Sequence, residues 1–215
     1  MSAEPGSTTQ LEFLSDAAAF LAVATDYLAA EPVINTVVTG VAHRTVAQAA
    51  EGIPPRADDW WLVVRDGSGA IVGVGMRTAP FPPRPPFLLP MPDEAAVALA
   101  RTLHERGEEV LGVNGALPAS EVFATELARL GGGHVEVAVH TRLFELGELI
   151  PPTPAPGQLV AATEDQVDLA IQWFAEFIDD ADRQAGRPAG STAHELPDRA
   201  SMLHRIRNQE LWFWV

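Results

Sequence analysis

Two apolar runs that contain tryptophan constrain the fold of this chain more than any other feature. The first run is WWLVV at residues 60–64, and the second is LWFWV at residues 211–215. Continuous apolar runs of this kind predict strands that are buried on both faces of a sheet. Each run is preceded by a short strand and two helical segments, so the sequence predicts the order β-α-α-β twice.

The first copy continues well beyond its tryptophan strand. The loop of Asp66, Gly67, Ser68 and Gly69 predicts a hairpin, because glycine supplies the positive φ angle that a tight turn requires. A helix is expected after a cap at Ser15, and a second is expected to start near Pro32. The other predicted elements are strands at 11–13, 60–65, 70–78, 87–89, 110–113 and 135–143, and helices at 93–106 and 118–130.

A proline-rich segment, residues 151–157, predicts a stiff linker, because repeated proline keeps the backbone extended. It divides the chain into a domain at 1–150 and a second part at 158–215. That second part holds a strand at 158–161, a capping box of Thr163 and Gln166, two helices and the final strand. The whole is expected to be α+β, with a mixed sheet flanked by helices and then the opening half of a second such unit.

Charge and composition narrow the classes of function. The 215 residues carry a formal net charge of −15, which repels phosphate backbones and anionic lipid, so neither nucleic acid nor membrane is expected as a partner. The first six residues lack signal-peptide features, and a cytoplasmic location is expected. The chain has no cysteine, and its six histidines lack the spacing of a zinc site, so no metal is expected.

The predicted order of elements resembles the GNAT family of N-acetyltransferases. The sequence is similar to an actinobacterial-type subgroup in which a degenerate GNAT-like domain precedes a catalytic one. The segments that carry this resemblance are residues 77–83, 89–95, 112–118, 141–146, 162–165 and 180–187. The resemblance implies acetyl-CoA as cofactor and an amine, on a small molecule or a peptide, as acetyl acceptor.

Residues 90–94 occupy the position of the family's cofactor-binding turn. GNAT enzymes hold the pyrophosphate of acetyl-CoA on a glycine-rich turn at a helix N-terminus. The matching segment here contains Pro90, Pro92, Asp93 and Glu94, which remove donors and add negative charge. Tight binding of acetyl-CoA is therefore not expected from the first copy. In the second copy the matching segment would follow Val215, so that copy is expected to be truncated.

Asn114 and Phe123 partly match a later motif of the family. The resemblance puts Asn114 near the pantetheine arm and Phe123 at the position of a tyrosine that protonates the departing thiolate. Phenylalanine has no proton to donate, so a turn and a core residue are the alternative interpretation. No catalytic residue is identified.

The end of the helix after the linker carries the candidates for acceptor binding. Trp173, Phe177, Asp179 and Asp182 could hold a cationic amine through aromatic faces and carboxylates. A solvated acidic helix end is the alternative interpretation. The competing function for the whole chain is a non-catalytic interaction or scaffold module. Such a module would dock or self-associate through the open strand of Trp212, Phe213, Trp214 and Val215.

Overall fold

The computed structural model describes residues 9–80 and 83–215, which form two compact units, one within residues 1–146 and the other within residues 147–215. The first six residues, on which the absence of signal-peptide features was judged, lie outside the described residues. So do two positions of the proline-rich passage before residue 87. Both units mix helices and strands, which confirms the predicted α+β class.

The first unit is built on a five-stranded sheet in the order β1-β2-β3-β4-β5. Neighbouring strands are antiparallel except β4 and β5, which are parallel and flank a crossover helix. The elements are β1 (Gln10–Leu14), α1 (Ala17–Ala30), α2 (Thr36–Ala50), β2 (Trp60–Arg65), β3 (Ile71–Arg77), β4 (Phe87–Leu88), α3 (Asp93–Glu105), β5 (Asn114–Gly115) and α4 (Ala119–Gly131).

Strand β2 is an interior strand of this sheet, and both of its faces are apolar. Trp60, Leu62 and Val64 face a core that includes residues of α3 and α4, whereas Trp61 and Val63 face a core that includes residues of α1 and α2. This alternation follows from the two-residue period of a strand. The prediction of a strand buried on both faces is confirmed for the first tryptophan run.

The predicted hairpin is also confirmed, since β2 and β3 pair on either side of the expected loop. The Oδ1 atom of Asp66 accepts hydrogen bonds from the backbone N–H groups of Ser68 and Ala70 at 2.9 and 3.1 Å. Gly69 has a φ of 87°, a conformation that favours glycine. The turn is therefore held by contacts that lie within five residues of chain.

The second unit contains β6 (Leu159–Ala161), α5 (Val167–Gln184), α6 (Arg199–Arg207) and β7 (Trp212–Trp214). The capping box before α5 is confirmed, with the Thr163 N–H donating to the Gln166 side chain at 3.0 Å. Strands β6 and β7 form a two-stranded antiparallel sheet. Phe213 packs in a core with Ala162, Val167, Ala170, Met202 and Ile206.

Several sequence predictions are wrong in position or in kind. The predicted strand at 135–143 does not form, and Val137 on its apolar face is 63% exposed. Its period-2 pattern supplies an apolar face, but β5 has only two ladder residues and offers little backbone to pair with. The strand predicted at 110–113 instead forms at β5, where Phe87 pairs with Asn114.

Two helix starts and the last strand also differ from prediction. Asp16, not Ser15, caps α1, and α2 begins four residues after Pro32. Strand β7 is not buried on both faces: Phe213 is buried, whereas Trp212 and Trp214 are 47% and 55% exposed. Among the described residues β7 pairs with β6 alone, so one of its edges carries no partner strand.

None of the helices in the described residues combines the length and the apolar character needed to cross a membrane.

Candidate functional site

The N-terminus of α3 is where the family resemblance would position an anion-binding turn. The N-cap residue is Pro92, and the N–H groups of Ala95 and Ala96 donate to its carbonyl at 2.9 and 3.1 Å. Asp93 and Glu94 occupy the first turn. Carboxylates there complement the positive end of the helix dipole but repel a phosphate. No side chain caps this helix end, and its two first-turn carboxylates make it poorly suited to a pyrophosphate.

The junction of β4 and β5 is the second part of that site. The Asn114 N–H donates to the Pro86 carbonyl at 2.9 Å, and the Ala116 N–H donates to the Leu88 carbonyl at 2.8 Å. Gly115 has a φ of 136°, and a Cβ atom on it would collide with the backbone of Leu88. The two strands are therefore hydrogen-bonded in close contact at this point, and no cofactor arm can pass between them without breaking these bonds.

The structure does not bring Asn114 and Phe123 together as a site. Asn114 is exposed on β5, whereas Phe123 on α4 is fully buried in the core with Leu99 and Leu103 of α3. An aromatic ring in that environment contributes to packing and donates no proton. The packing interpretation of Phe123 therefore agrees with its surroundings.

Trp173 and Phe177 lie one turn apart on the same side of α5 and are 48% and 68% exposed. The Trp173 ring meets Phe213 edge to face, with centroids 5.2 Å apart. Asp179 follows Phe177 by two residues, which turns it about 200° around the helix axis. The candidate aromatic pair and this carboxylate are thus on different sides of α5.

Asp182 has a structural position instead of a solvent-facing one. It is fully buried, and its carboxylate accepts hydrogen bonds from Arg187 Nε and from the N–H and hydroxyl of Thr192, each at 3.0 Å. Burial alone raises the pKa of Asp182, but the hydrogen bonds from Thr192 and Arg187 outweigh it, and the pKa lies below its usual range. The carboxylate ties the loop after α5 to the helix.

A cleft of about 740 Å³ in the first unit, lined by several charged side chains, was missed by sequence reasoning. Its main feature is Arg77, whose side chain is 9% exposed and forms an ion pair with Glu108 at 2.9 Å. The Arg77 guanidinium also donates to the carbonyls of Arg84 and Glu109 at 3.0 and 2.7 Å, and Trp60 Nε1 donates to Glu108 at 3.1 Å. The local sequence signal is weak, because Arg77 simply ends an apolar strand.

The charges that line this cleft are largely paired with one another. Arg84 forms ion pairs with Asp58 and Asp59, and the hydrogen bond from Arg84 holds the pKa of Asp58 below its usual range. The buried Nε atom of Arg84 has no hydrogen-bond partner within the described residues. The arrangement joins the segments that follow β3 and α3. It presents no nucleophile with an adjacent base, so it is better described as a structural network than as a reaction centre. We refer to Arg77, Glu108 and the groups hydrogen-bonded to them as the Arg77 clasp.

Across residues 9–80 and 83–215, no three histidine, aspartate or glutamate side chains converge in a manner that could hold a metal ion.

Comparison with known proteins gave no relative from which a role could be transferred. No protein-family model, no curated protein and no solved structure matches this chain.

Proposed function

We propose that this chain comes from the GNAT lineage of acetyl-CoA-dependent N-acetyltransferases and that its first unit is a non-catalytic, GNAT-like scaffold. The single observation that carries the proposal is the element order of that unit, β1-α1-α2-β2-β3-β4-α3-β5-α4, with β4 and β5 as its parallel pair. Apart from the last strand, expected at 135–143 and not formed, this is the order that the sequence resemblance implies for a GNAT domain. Fold likeness by itself assigns no activity, so the chemistry must be argued from the site.

The site of the first unit argues against catalysis there. The helix that would receive the pyrophosphate begins with Pro92, Asp93 and Glu94, and the strands that would part around the cofactor are hydrogen-bonded together. Phe123 has no hydroxyl to protonate a thiolate. A unit with these three features keeps the scaffold and lacks the groups that acetyl transfer requires.

The second unit supports the proposal through its β-α-α-β order, which repeats the opening of the first. In the family such an opening forms the acceptor side of the catalytic domain. Trp173 and Phe177 would supply aromatic faces for an amine there, and Asp182 would hold the adjoining loop in shape. In enzymes of this lineage the amine attacks the thioester and backbone N–H groups stabilise the oxyanion. A cytoplasmic location remains a prediction.

Calorimetric titration of the 215-residue chain with acetyl-CoA tests the first unit's assignment. We expect no saturable heat up to about 1 mM ligand, which means a binding free energy weaker than about −4 kcal/mol. The same samples would be assayed for acetyl transfer to a panel of primary amines. Because the chain contains no lysine, no self-acetylation of lysine side chains can confuse that assay. Micromolar binding or turnover would contradict the scaffold assignment.

A gain of binding would test the lineage more directly. The double substitution Pro92→Gly and Glu94→Gln restores a backbone donor and removes a charge at α3, while Met91 is left in place because it is buried in the core. We expect weak binding of CoA through its pyrophosphate to emerge from this change, while the hydrogen-bonded β4 and β5 still exclude the pantetheine arm. The control is Pro118→Gly with Glu121→Gln, which replaces the N-cap proline and the first-turn glutamate of α4. Equal binding by both variants would mean that any exposed helix end suffices.

A second candidate function is an interaction module. It is favoured by the open edge of β7 and by the exposure of Trp212 and Trp214. This candidate needs no acetyl-CoA and is compatible with a non-catalytic first unit.

A further inference from the structure

We propose that the outer edge of β7 pairs with β7 of a second copy of this chain, in an antiparallel arrangement with Phe213 on the two-fold axis. The inference rests on the interaction-module candidate and is independent of acetyl transfer. Its occupant is argued from hydrogen-bond register, side-chain chemistry and the area available.

The backbone register of β7 decides which groups face outward. Val215 and Gln158 exchange both of their backbone hydrogen bonds, at 2.8 and 3.0 Å. In an antiparallel ladder, hydrogen-bonded pairs alternate with pairs that are not bonded to each other. Phe213 therefore faces β6 with its N–H and carbonyl, while the N–H and carbonyl groups of Trp212 and Trp214 point to the outer edge.

That pattern is complementary to itself. A two-fold axis through Phe213 sets Trp212 opposite Trp214 of the second copy, and the reverse pairing follows by symmetry. Each pair exchanges two backbone hydrogen bonds, so the two pairs together would form about four. The side chains from Leu211 to Val215 carry no charge, so no like-charged side chains meet across the new ladder.

The tryptophan rings are held in a form suited to association. Trp212 Nε1 donates to the Gln209 carbonyl at 2.9 Å, and Trp214 Nε1 donates to the Pro156 carbonyl at 3.0 Å. Their polar atoms are thus satisfied within the chain, and what remains exposed is mainly apolar ring surface. Leu159, 59% exposed, lies opposite Trp214 on β6, on the side away from the outer edge. Fixed rings lose little side-chain entropy when a partner covers them.

The strand is short, at three residues, but it lacks several other features with which natural sheets protect an edge. It has no lysine, proline or bulge among the residues of β7. The exposed portions of Trp212 and Trp214 amount to a few hundred square ångströms per copy, less than about half of what each partner buries in a standard interface. The proposed dimer is therefore expected to be weak and concentration-dependent.

Sedimentation velocity of the full chain between about 5 and 500 µM tests this inference at the weak end of the interface range. We expect the weight-average mass to rise from the monomer value of 23.0 kDa toward twice that value. Because each copy carries a net charge of −15, added salt should strengthen the association. A chain that remains monomeric throughout, or that forms only higher aggregates, would overturn the proposal.

A pair of double variants tests the register. Trp212→Lys with Trp214→Glu sets lysine opposite glutamate across the axis, whereas Trp212→Lys with Trp214→Lys sets lysine opposite lysine. We expect the first variant to associate at least about tenfold more tightly, although the second has the lower net charge and weaker long-range repulsion. Equal dissociation constants, or the reverse order, would exclude this register.

Two further variants locate the surface. Trp214→Pro removes an outward N–H without touching the bonds to β6, and it should abolish the dimer. Phe177→Lys alters the exposed aromatic side chain on α5 and should leave association unchanged. The opposite pattern would move the interface to α5 and refute pairing through β7. Acetyl-CoA titration of the same samples reports on the lineage proposal separately, so the two can fail independently.

Discussion

The two tryptophan runs, which form β2 and β7, have nearly the same composition and very different surroundings. Strand β2 has a partner strand on each edge and helices against each face, and Trp61 is 1% exposed. Strand β7 has one partner strand and one packed face, and Trp214 is 55% exposed. An apolar run therefore indicates that burial is favourable, but the neighbouring elements decide whether it is achieved.

The largest expected contrast comes from shortening one tryptophan in each strand. Trp61 stacks on Phe20 with ring centroids 4.9 Å apart, so Trp61→Ala should cost about 3–5 kcal/mol of unfolding free energy. Trp214→Ala should cost less than about 1 kcal/mol, because half of its side chain is already in water. Amide hydrogen exchange in β2 and β7 measures the two units separately. Equal losses would mean that the strands are equivalently packed.

The Arg77 clasp is a further difference, since it holds Glu108 against Trp60 of β2. Arg77→Ala should destabilise the first unit by about 2–3 kcal/mol, because Glu108 and two backbone carbonyls lose a charged donor. Arg77→Lys keeps the charge but cannot reach all three acceptors, so an intermediate loss is expected. Urea denaturation followed by exchange in β3 would measure both. No loss in either variant would show that the clasp is dispensable.

The second unit should depend on pH through Asp182. Its folded-state pKa lies below the ordinary value, so its stabilisation is full above about pH 4 and is lost as the pH falls through the folded-state pKa. Asp182→Asn should lower the melting temperature of this unit at pH 7, and the difference from wild type should shrink toward pH 3. Asp180→Asn is the matched control, because that carboxylate is 72% exposed. A difference that does not change with pH would contradict this role.

The smallest expected effects come from helix caps, one in each unit. Asp16 accepts hydrogen bonds from the N–H groups of Ala18 and Ala19, and Asp198 accepts one from Ser201 at 2.7 Å. Each Asp→Ala change should cost about 1 kcal/mol in its own unit. Exchange in α1 and α6 would detect these losses. Similar losses of unfolding free energy in both units would show that the difference between β2 and β7 comes from the surroundings of the two strands.

Features of the structure were predictable from the sequence where the residues that form them lie close together in the chain. The hairpin at Asp66 and the capping box at Thr163 were predicted correctly, because both are satisfied within a few residues of chain. The strand at 135–143 was not, because a strand needs a partner whose position its own pattern does not specify. The Arg77 clasp joins residues about 30 positions apart, and no local spacing indicated it.

The sequence by itself determined the class of fold, the order of most elements and the apolar character of the two tryptophan strands, because these follow from periodicity and turn chemistry. Only the tertiary structure decided that β2 is central and β7 is an edge, that Phe123 is core, and that Asp182 is buried. Those outcomes depend on which distant segments pack together, and packing is a property of the assembled chain.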